Sequence, residues 1–273
     1  MNAASSALVQ VEGLVVEYGK GPHVHRAVDD VGFELAPGAT LALVGESGAG
    51  KSTIGKVVTG LLAANAGRVV VCGEDRSRPA TTTRDRRRRA KQLQVVPQDP
   101  FVSIDPRQRI GAVLMEALTV QGSSGTRSVR ESRVGSLLEQ VGLTARHALA
   151  TPRQMSGGQL QRVAIARALA AEPAVIVLDE AVSALDVSVQ AQVLNLLGDL
   201  QRRTGVAYLF ITHDLSVVRQ VADDVLVLRS GKVVEHGTTD QVLAAPAADY
   251  TKLLIASTPQ PGWKPVARES LAG

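Results

Sequence analysis

The segment Gly45-Glu46-Ser47-Gly48-Ala49-Gly50-Lys51-Ser52 constrains this chain more than any other. It fits G-x-x-x-x-G-K-[ST] in full. Before it, Thr40-Leu41-Ala42-Leu43-Val44 is a short apolar run fit for a buried strand. After it, Ser52 to Leu62 reads as a helix with apolar positions at Ile54, Val57, Val58 and Leu61. Strand, loop and helix are the context the pattern needs. Its glycines permit positive φ and close backbone approach, so successive N–H groups can converge on phosphate oxygens. Lys51 brings a point charge toward the β- and γ-phosphates, Ser52 a hydroxyl for Mg²⁺, and the helix N-terminus a partial positive charge. The bland alternative is a glycine-rich strand-to-helix turn with a solvated lysine. Agreement of pattern and context argues against it.

A second glycine turn, Ser156-Gly157-Gly158-Gln159, also leads into a helical pattern. Such turns hold phosphate oxygens too. One ATP does not need two of these loops from one chain. Two make sense if two copies meet head to tail, each supplying one side of a shared ATP.

Acidic groups follow in the right kind of place. Val175-Ile176-Val177-Leu178-Asp179-Glu180 is four apolar residues and then two acids. The apolar part suits a fully buried strand of a parallel sheet. Carboxylates at its C-terminal end fall where ligands bind in open α/β sheets. Asp179 is then placed for the outer sphere of Mg²⁺, and Glu180 to polarise a water against the γ-phosphate. In Phe210-Ile211-Thr212-His213-Asp214, His213 ends another apolar strand, about where a γ-phosphate contact is needed. A lone histidine is more often structural; its place at the same sheet edge gives it weight here.

These residues, in this order, resemble the ATP-binding subunit of an ABC transporter over nearly all of the chain. Tyr18 sits where that family stacks an aromatic on adenine, and Gly45 to Ser52 match its Walker A loop. Gln98 matches the Q-loop glutamine. Ser156 to Gln159 match the signature motif, with Met155 where leucine is commoner. Asp179 and Glu180 match the Walker B aspartate and catalytic glutamate, Ser183-Ala184-Leu185-Asp186 the D-loop, and His213 the switch histidine. The Walker A loop alone is shared by many NTPases; the signature motif in this order is specific to the ABC class. The resemblance implies ATP held by Tyr18, Gly45, Glu46, Ser47, Gly48, Ala49, Gly50, Lys51, Ser52 and Thr53. It implies Mg²⁺ near Ser52, Gln98 and Asp179, the last through water. It implies catalysis by Glu180, His213 and Gln98, with Ser156, Gly157, Gly158 and Gln159 facing the partner subunit's ATP.

Finer stretches resemble the dipeptide, oligopeptide and nickel importers. One runs from Gln98 through Pro100-Phe101-Val102-Ser103-Ile104-Asp105 to Arg107, and another from Ser183 to Val193. Tyr250-Thr251-Lys252-Leu253-Leu254 resembles the start of that group's C-terminal extension, with Ala248-Asp249 replacing the usual His-Pro.

Composition is compatible with a subunit that reaches a membrane only through partners. The 273 residues can bury a large core. No apolar run reaches the ~18 residues of a membrane span; Val163 to Leu178 is broken by Arg167, Glu172 and Pro173. Residues 1–6 lack a positive n-region and an apolar h-region, so no signal peptide is read. Cys72, the only cysteine, excludes an intrachain disulfide and a multi-cysteine metal site. Net charge is a mild +4, with the basic run concentrated at Arg84-Asp85-Arg86-Arg87-Arg88-Arg89. A solvated helix is favoured there over a nucleic-acid or lipid contact. No aromatics interleave the arginines as a stacking platform requires.

The expected fold class is α/β: a P-loop NTPase (RecA-like) core with an antiparallel β-subdomain and a helical subdomain. Residues 8–38 alternate as half-buried antiparallel strands, and residues 67–75 add another strand. Strands around Val44, Val95, Val177, Leu209 and Val227 belong to a mainly parallel sheet. Helices are expected over Ile110 to Val120, Val129 to Val141 and Gln159 to Ala171, with a break at Gly122-Ser123-Ser124-Gly125 and a cap at Gly142. Residues 1–246 are the expected nucleotide-binding domain, with a helical subdomain at about 107–170, and 247–273 a short C-terminal extension. The resemblance further implies a homodimer or heterodimer of cassettes, two transmembrane permease subunits and an extracytoplasmic solute-binding protein. The chain would lie at the cytoplasmic face of the membrane, with no nucleic acid. An exporter cassette and a non-transport ABC ATPase are the alternative readings.

Overall fold

The computed structural model describes residues 7–19, 21–120 and 126–257. Residues 1–6, the Gly122-Ser123-Ser124-Gly125 break and residues 258–273 of the expected extension lie outside the described residues.

Two sheets carry the fold. The first is antiparallel, in the order β2-β1-β4-β5, from β1 (Val9–Tyr18), β2 (His25–Leu35), β4 (Ala66–Val71) and β5 (Glu74–Asp75). The second has the order β10-β9-β3-β8-β7-β6. Its strands are β3 (Thr40–Val44), β6 (Leu93–Val96), β7 (Val175–Asp179), β8 (Ala207–Thr212), β9 (Asp224–Arg229) and β10 (Lys232–Thr238). Only β10 runs antiparallel. Parallel strands are covered on both faces, so they read as unbroken apolar runs. Residues of β3 and β8 are buried throughout.

Side chains on a strand alternate between faces. Val175 and Val177 of β7 therefore join a core with the antiparallel sheet and α1 (Lys51–Val58). Ile176 and Leu178 join the opposite core. That core is built with α4 (Ile110–Val120), α5 (Arg127–Gln140), α6 (Gly157–Leu169) and α7 (Val187–Thr204). A smaller cluster on Ala42, Val44, Val225 and Val227 is closed by α8 (Leu215–Val221), α9 (Thr239–Ala244) and α10 (Asp249–Ala256). The remaining α-helices among the described residues are α2 (Thr83–Gln92), beside β6, and the one-turn α3 (Pro100–Ser103). Between β6 and β7 the described chain is helical, as the pattern predicts, and Gly142 follows α5 at φ +70°. No described helix is long and apolar enough to cross a membrane.

Two expectations needed correction. The helix after the phosphate loop stops at Val58, short of Leu62. Gly60 takes φ +76°, and the N–H groups of Leu61 and Leu62 both turn back to the Lys56 carbonyl. Leu61 is left 74% exposed instead of on the buried face. Residues 67–75 form a hairpin, not one strand, because Cys72 and Gly73 both adopt positive φ. The basic run lies on α2 as expected. Arg88 and Arg89 both bind Glu74 on β5, and its carboxyl is held at about 2, chiefly by Arg88.

Candidate active site

Strand register assembles the site. Val44 pairs with Thr212 and Asp179 with Ile211, so the C-terminal ends of β3, β7 and β8 lie at one edge. Chain segments leaving those three ends carry the phosphate loop, Glu180 and His213.

The loop from Gly45 to Gly50 is shaped by its glycines. Gly45 has φ +154°, and a Cβ there would meet the Leu228 carbonyl oxygen at 2.2 Å. Gly50 caps α1 at φ +100°, with a would-be Cβ 2.5 Å from the Ala27 carbonyl oxygen. No other residue type fits either place without moving backbone. Lys51 folds back into the loop. Its Nζ donates to the carbonyls of Gly45 at 2.7 Å and Glu46 at 2.8 Å, and the residue is 5% exposed. Burial pulls its ammonium below the usual lysine range, opposed by the charges of Glu180, Asp179 and Glu46. A buried ammonium satisfied only by backbone carbonyls is an incompletely neutralised charge, and an anion is its natural partner.

Ser52, the next residue, donates from Oγ to Asp179 Oδ1 at 3.1 Å. Burial raises the Asp179 carboxyl, with the Ser52 hydrogen bond opposing and the neighbouring Glu180 adding to the rise. Two hard oxygens on adjoining elements suit Mg²⁺, which takes one or two protein oxygens and completes its shell with water and phosphate. Among the described residues no group of three or more His, Cys, Asp or Glu is placed to hold a metal ion.

Glu180 adopts φ +49°, rare outside glycine. Its N–H donates to the Ile211 carbonyl at 2.9 Å, which keeps that turn in place. Residues held so often mark functional positions. His213 Nδ1 lies 3.4 Å from Glu180 Oε1. Gln98 donates to Ser183 Oγ at 3.2 Å, and Ser183 Oγ in turn donates to the Glu180 carbonyl at 3.0 Å. Gln98 is thereby tied to the Glu180 turn through the D-loop serine, a link that spacing alone does not reveal.

A cleft of about 280 Å³ runs from Lys51 to Tyr18. Ser47, Gly48, Gly50, Ser52, Thr53 and Glu180 line it, and so do His25 and Ala27, which sequence reasoning missed. Antiparallel pairing of β1 with β2 sets His25 opposite Tyr18, in a register that bulges in β1 shift. Tyr18 is 42% exposed at the cleft mouth, an unsatisfied aromatic face beside a phosphate loop. Larger hollows exist, one of about 490 Å³ lined by Arg133, Glu172 and Arg203, but they hold none of the converging groups.

Ser156, Gly157, Gly158, Gln159 and Asp186 do not line this cleft. Ser156 caps α6: its Oγ accepts from Gln159 N at 3.3 Å, while Gln159 Oε1 accepts from Ser156 N at 3.0 Å. Asp186 caps α7, its Oδ1 accepting from Val189 N at 3.0 Å and Ser188 Oγ at 2.7 Å. Those bonds, the Val189 one foremost, hold its carboxyl below the usual range. Ser156 and Gly157 are exposed.

Comparison with known proteins identifies the family. Residues 28–183 match the family model described as ABC transporter. A Brucella ovis protein named as a candidate peptide import ATP-binding protein is 44% identical over 254 residues, covering 93% of this chain and 79% of its own length. The dipeptide transport ATP-binding protein DppF of Haemophilus influenzae is 46% identical over 239 residues, covering 88% and 72%. Among solved structures, the ATP-binding cassette MJ0796, as a post-hydrolysis dimer bound to ADP and phosphate, superposes with a TM-score of 0.75. It is 26% identical and covers 85% of this chain and 98% of its own. With the loop, the two acids and the histidine at one sheet edge, these matches settle the family: this chain belongs to the ABC transporter family, as an ATP-binding ATPase subunit of the importer kind.

Proposed function

We propose that this subunit drives import of peptides or a related small solute by closing with a second cassette over two shared ATP molecules. One observation carries the reading: the chain has two phosphate-type loops, and the second does not line the cleft of the first. In the proposed pair, each ATP lies between Lys51 and Ser52 of one cassette and Ser156, Gly157 and Gly158 of the other. Tyr18 stacks on adenine. Lys51 exchanges its two carbonyl partners for phosphate oxygens. Ser52 and Gln98, with Asp179 through water, would hold Mg²⁺, which would supply positive charge against the phosphates. Glu180 orients and deprotonates the attacking water, and His213 contacts the γ-phosphate from the neighbouring strand end. Positioning and charge carry such a reaction, since phosphoryl transfer asks little covalent chemistry of the protein.

Transmission runs through Gln98. Its neighbours Phe101 and Val102 are 49% and 86% exposed on α3, an apolar surface suited to a permease subunit. Two permease subunits would hold the pair at the cytoplasmic face of the membrane, and a solute-binding protein would deliver cargo from the other side. Relatives named for peptide and dipeptide transport support that cargo class; nickel, carried by the same importer group, is the other candidate. The test is ATP hydrolysis by the assembled complex in proteoliposomes. The proposal expects stimulation by a cargo-loaded binding protein presented on the face opposite the cassettes. Stimulation by cargo presented only on the cassette side would contradict import.

A further inference from the structure

One contact at the phosphate loop comes from far along the chain. Tyr250, on α10, places its hydroxyl 3.3 Å from the backbone nitrogen of Glu46, which donates to it. That N–H belongs to the Gly45–Glu46 peptide. The same peptide's carbonyl, Gly45 O, accepts from Lys51 Nζ at 2.7 Å. A trans peptide is planar, with its C=O and N–H pointing opposite ways. Tyr250 and Lys51 therefore grip one rigid plate by its two edges.

The tyrosine is itself well held. It is 8% exposed, and the Arg229 guanidinium lies 4.9 Å from the centre of its ring. That is stacking distance for a cation on an aromatic face. Arg229 follows Leu228, whose carbonyl backs Gly45 where a Cβ would clash at 2.2 Å. The start of α10 is tied down separately, with Glu235 accepting from Ala247 N at 2.7 Å and Ala248 N at 3.1 Å. The contacts close a ring from Gly45 to Leu228, Arg229, Tyr250 and back to Glu46.

We propose that Tyr250 is a positioning residue for nucleotide binding. Its hydroxyl fixes the Gly45–Glu46 peptide, and with it the carbonyl against which Lys51 waits for phosphate. The proposal rests on the reading of Gly45 to Thr53 as the ATP site. It makes α10 a part of the nucleotide site rather than a passive tail. Coupling between two sites is reciprocal, so bound ATP should in turn steady α10.

The test is Tyr250→Phe, which keeps the ring and its Arg229 partner and removes only the hydroxyl. For the isolated full-length chain, the expected result is ATP affinity weaker by roughly three- to tenfold, the span of one net hydrogen bond. In the assembled complex, KM for ATP should rise by a similar factor while kcat stays within about twofold. Hydrogen exchange supplies a second readout. ATP should slow exchange of the Lys252 and Ser257 amides, which bond to Ala248 and Leu253 carbonyls, in the wild type but not in Tyr250→Phe. Arg229→Met, which leaves the hydroxyl but frees the ring, should shift affinity the same way by less. Unchanged affinity in Tyr250→Phe, or ATP-dependent protection of α10 that survives the substitution, overturns the proposal. If the wild-type chain itself fails to bind ATP, the site reading falls and the proposal with it.

Discussion

At Gly45 of the phosphate loop a methyl group would lie 2.2 Å from the Leu228 carbonyl oxygen, and at Gly50 2.5 Å from that of Ala27. At Gly157 of the second loop it would meet nothing nearer than Leu185 Cδ2 at 3.8 Å, an ordinary contact. Gly45 and Gly50 of the first loop are demanded by this chain's own backbone. Gly157 is not, and it sits exposed at the start of α6 beside a serine and a glutamine that satisfy each other. Gly158, its neighbour, is again required internally: a Cβ would strike Val189 Cγ1 at 2.2 Å. One loop is thus built to close around something this chain holds. The other leaves one smooth, exposed position, which suits the head-to-tail pair proposed above.

The largest effect that sharpens this contrast is on chemistry carried beside the first loop. Glu180→Gln keeps shape and removes the proposed base, so turnover of the complex should fall roughly 10²- to 10⁴-fold with ATP binding retained. Near-normal turnover would move the base to another residue. Next come the paired glycines. Gly158→Ala should cost about 1–3 kcal/mol in denaturant unfolding, because a methyl group overpacks against Val189. Gly157→Ala should leave unfolding unchanged or gain up to about 0.5–1 kcal/mol from helix propensity. Equal destabilisation by both would erase the distinction between an inward and an outward glycine. The smallest effect concerns the cleft mouth. Tyr18→Ala should weaken ATP binding by about 0.5–1.5 kcal/mol through the lost stack and weaken adenine-free triphosphate not at all. An equal loss for both ligands would mean that Tyr18 shapes the loop instead of meeting the base.

What could be read from sequence divides along the same line. The phosphate loop was legible because the contacts that define it are short-range: Lys51 bonds to carbonyls five and six residues back. The Asp179–Glu180 and His213 positions were legible because strand ends in a parallel sheet share an edge. Ser156 to Gln159 were legible as a glycine turn leading into a helix, and through the family resemblance as a signature loop. Long-range contacts were not legible. Nothing in the spacing of Gln98 and Ser183 announces their hydrogen bond, and Tyr250 reaches Glu46 across most of the chain. His25 was hidden because its proximity to Tyr18 depends on hairpin register, which the bulges in β1 shift. The early end of α1 was missed because apolar spacing continued past Gly60, and the backbone turn there outweighed it.

Where the second loop's ATP lies is addressed most directly by Gly157→Asp. The substitution sets a carboxylate at the exposed position where the facing subunit's γ-phosphate is proposed to dock, and like charges at close range oppose closure. Two titrations are needed: ATP affinity of the isolated variant, and ATPase rate of the assembled complex. Retained affinity with turnover lost is the predicted result, with partial loss if the facing cassette is a different chain. Affinity and turnover lost together would mean that the loop serves its own chain's ATP, and the shared-site account would be wrong.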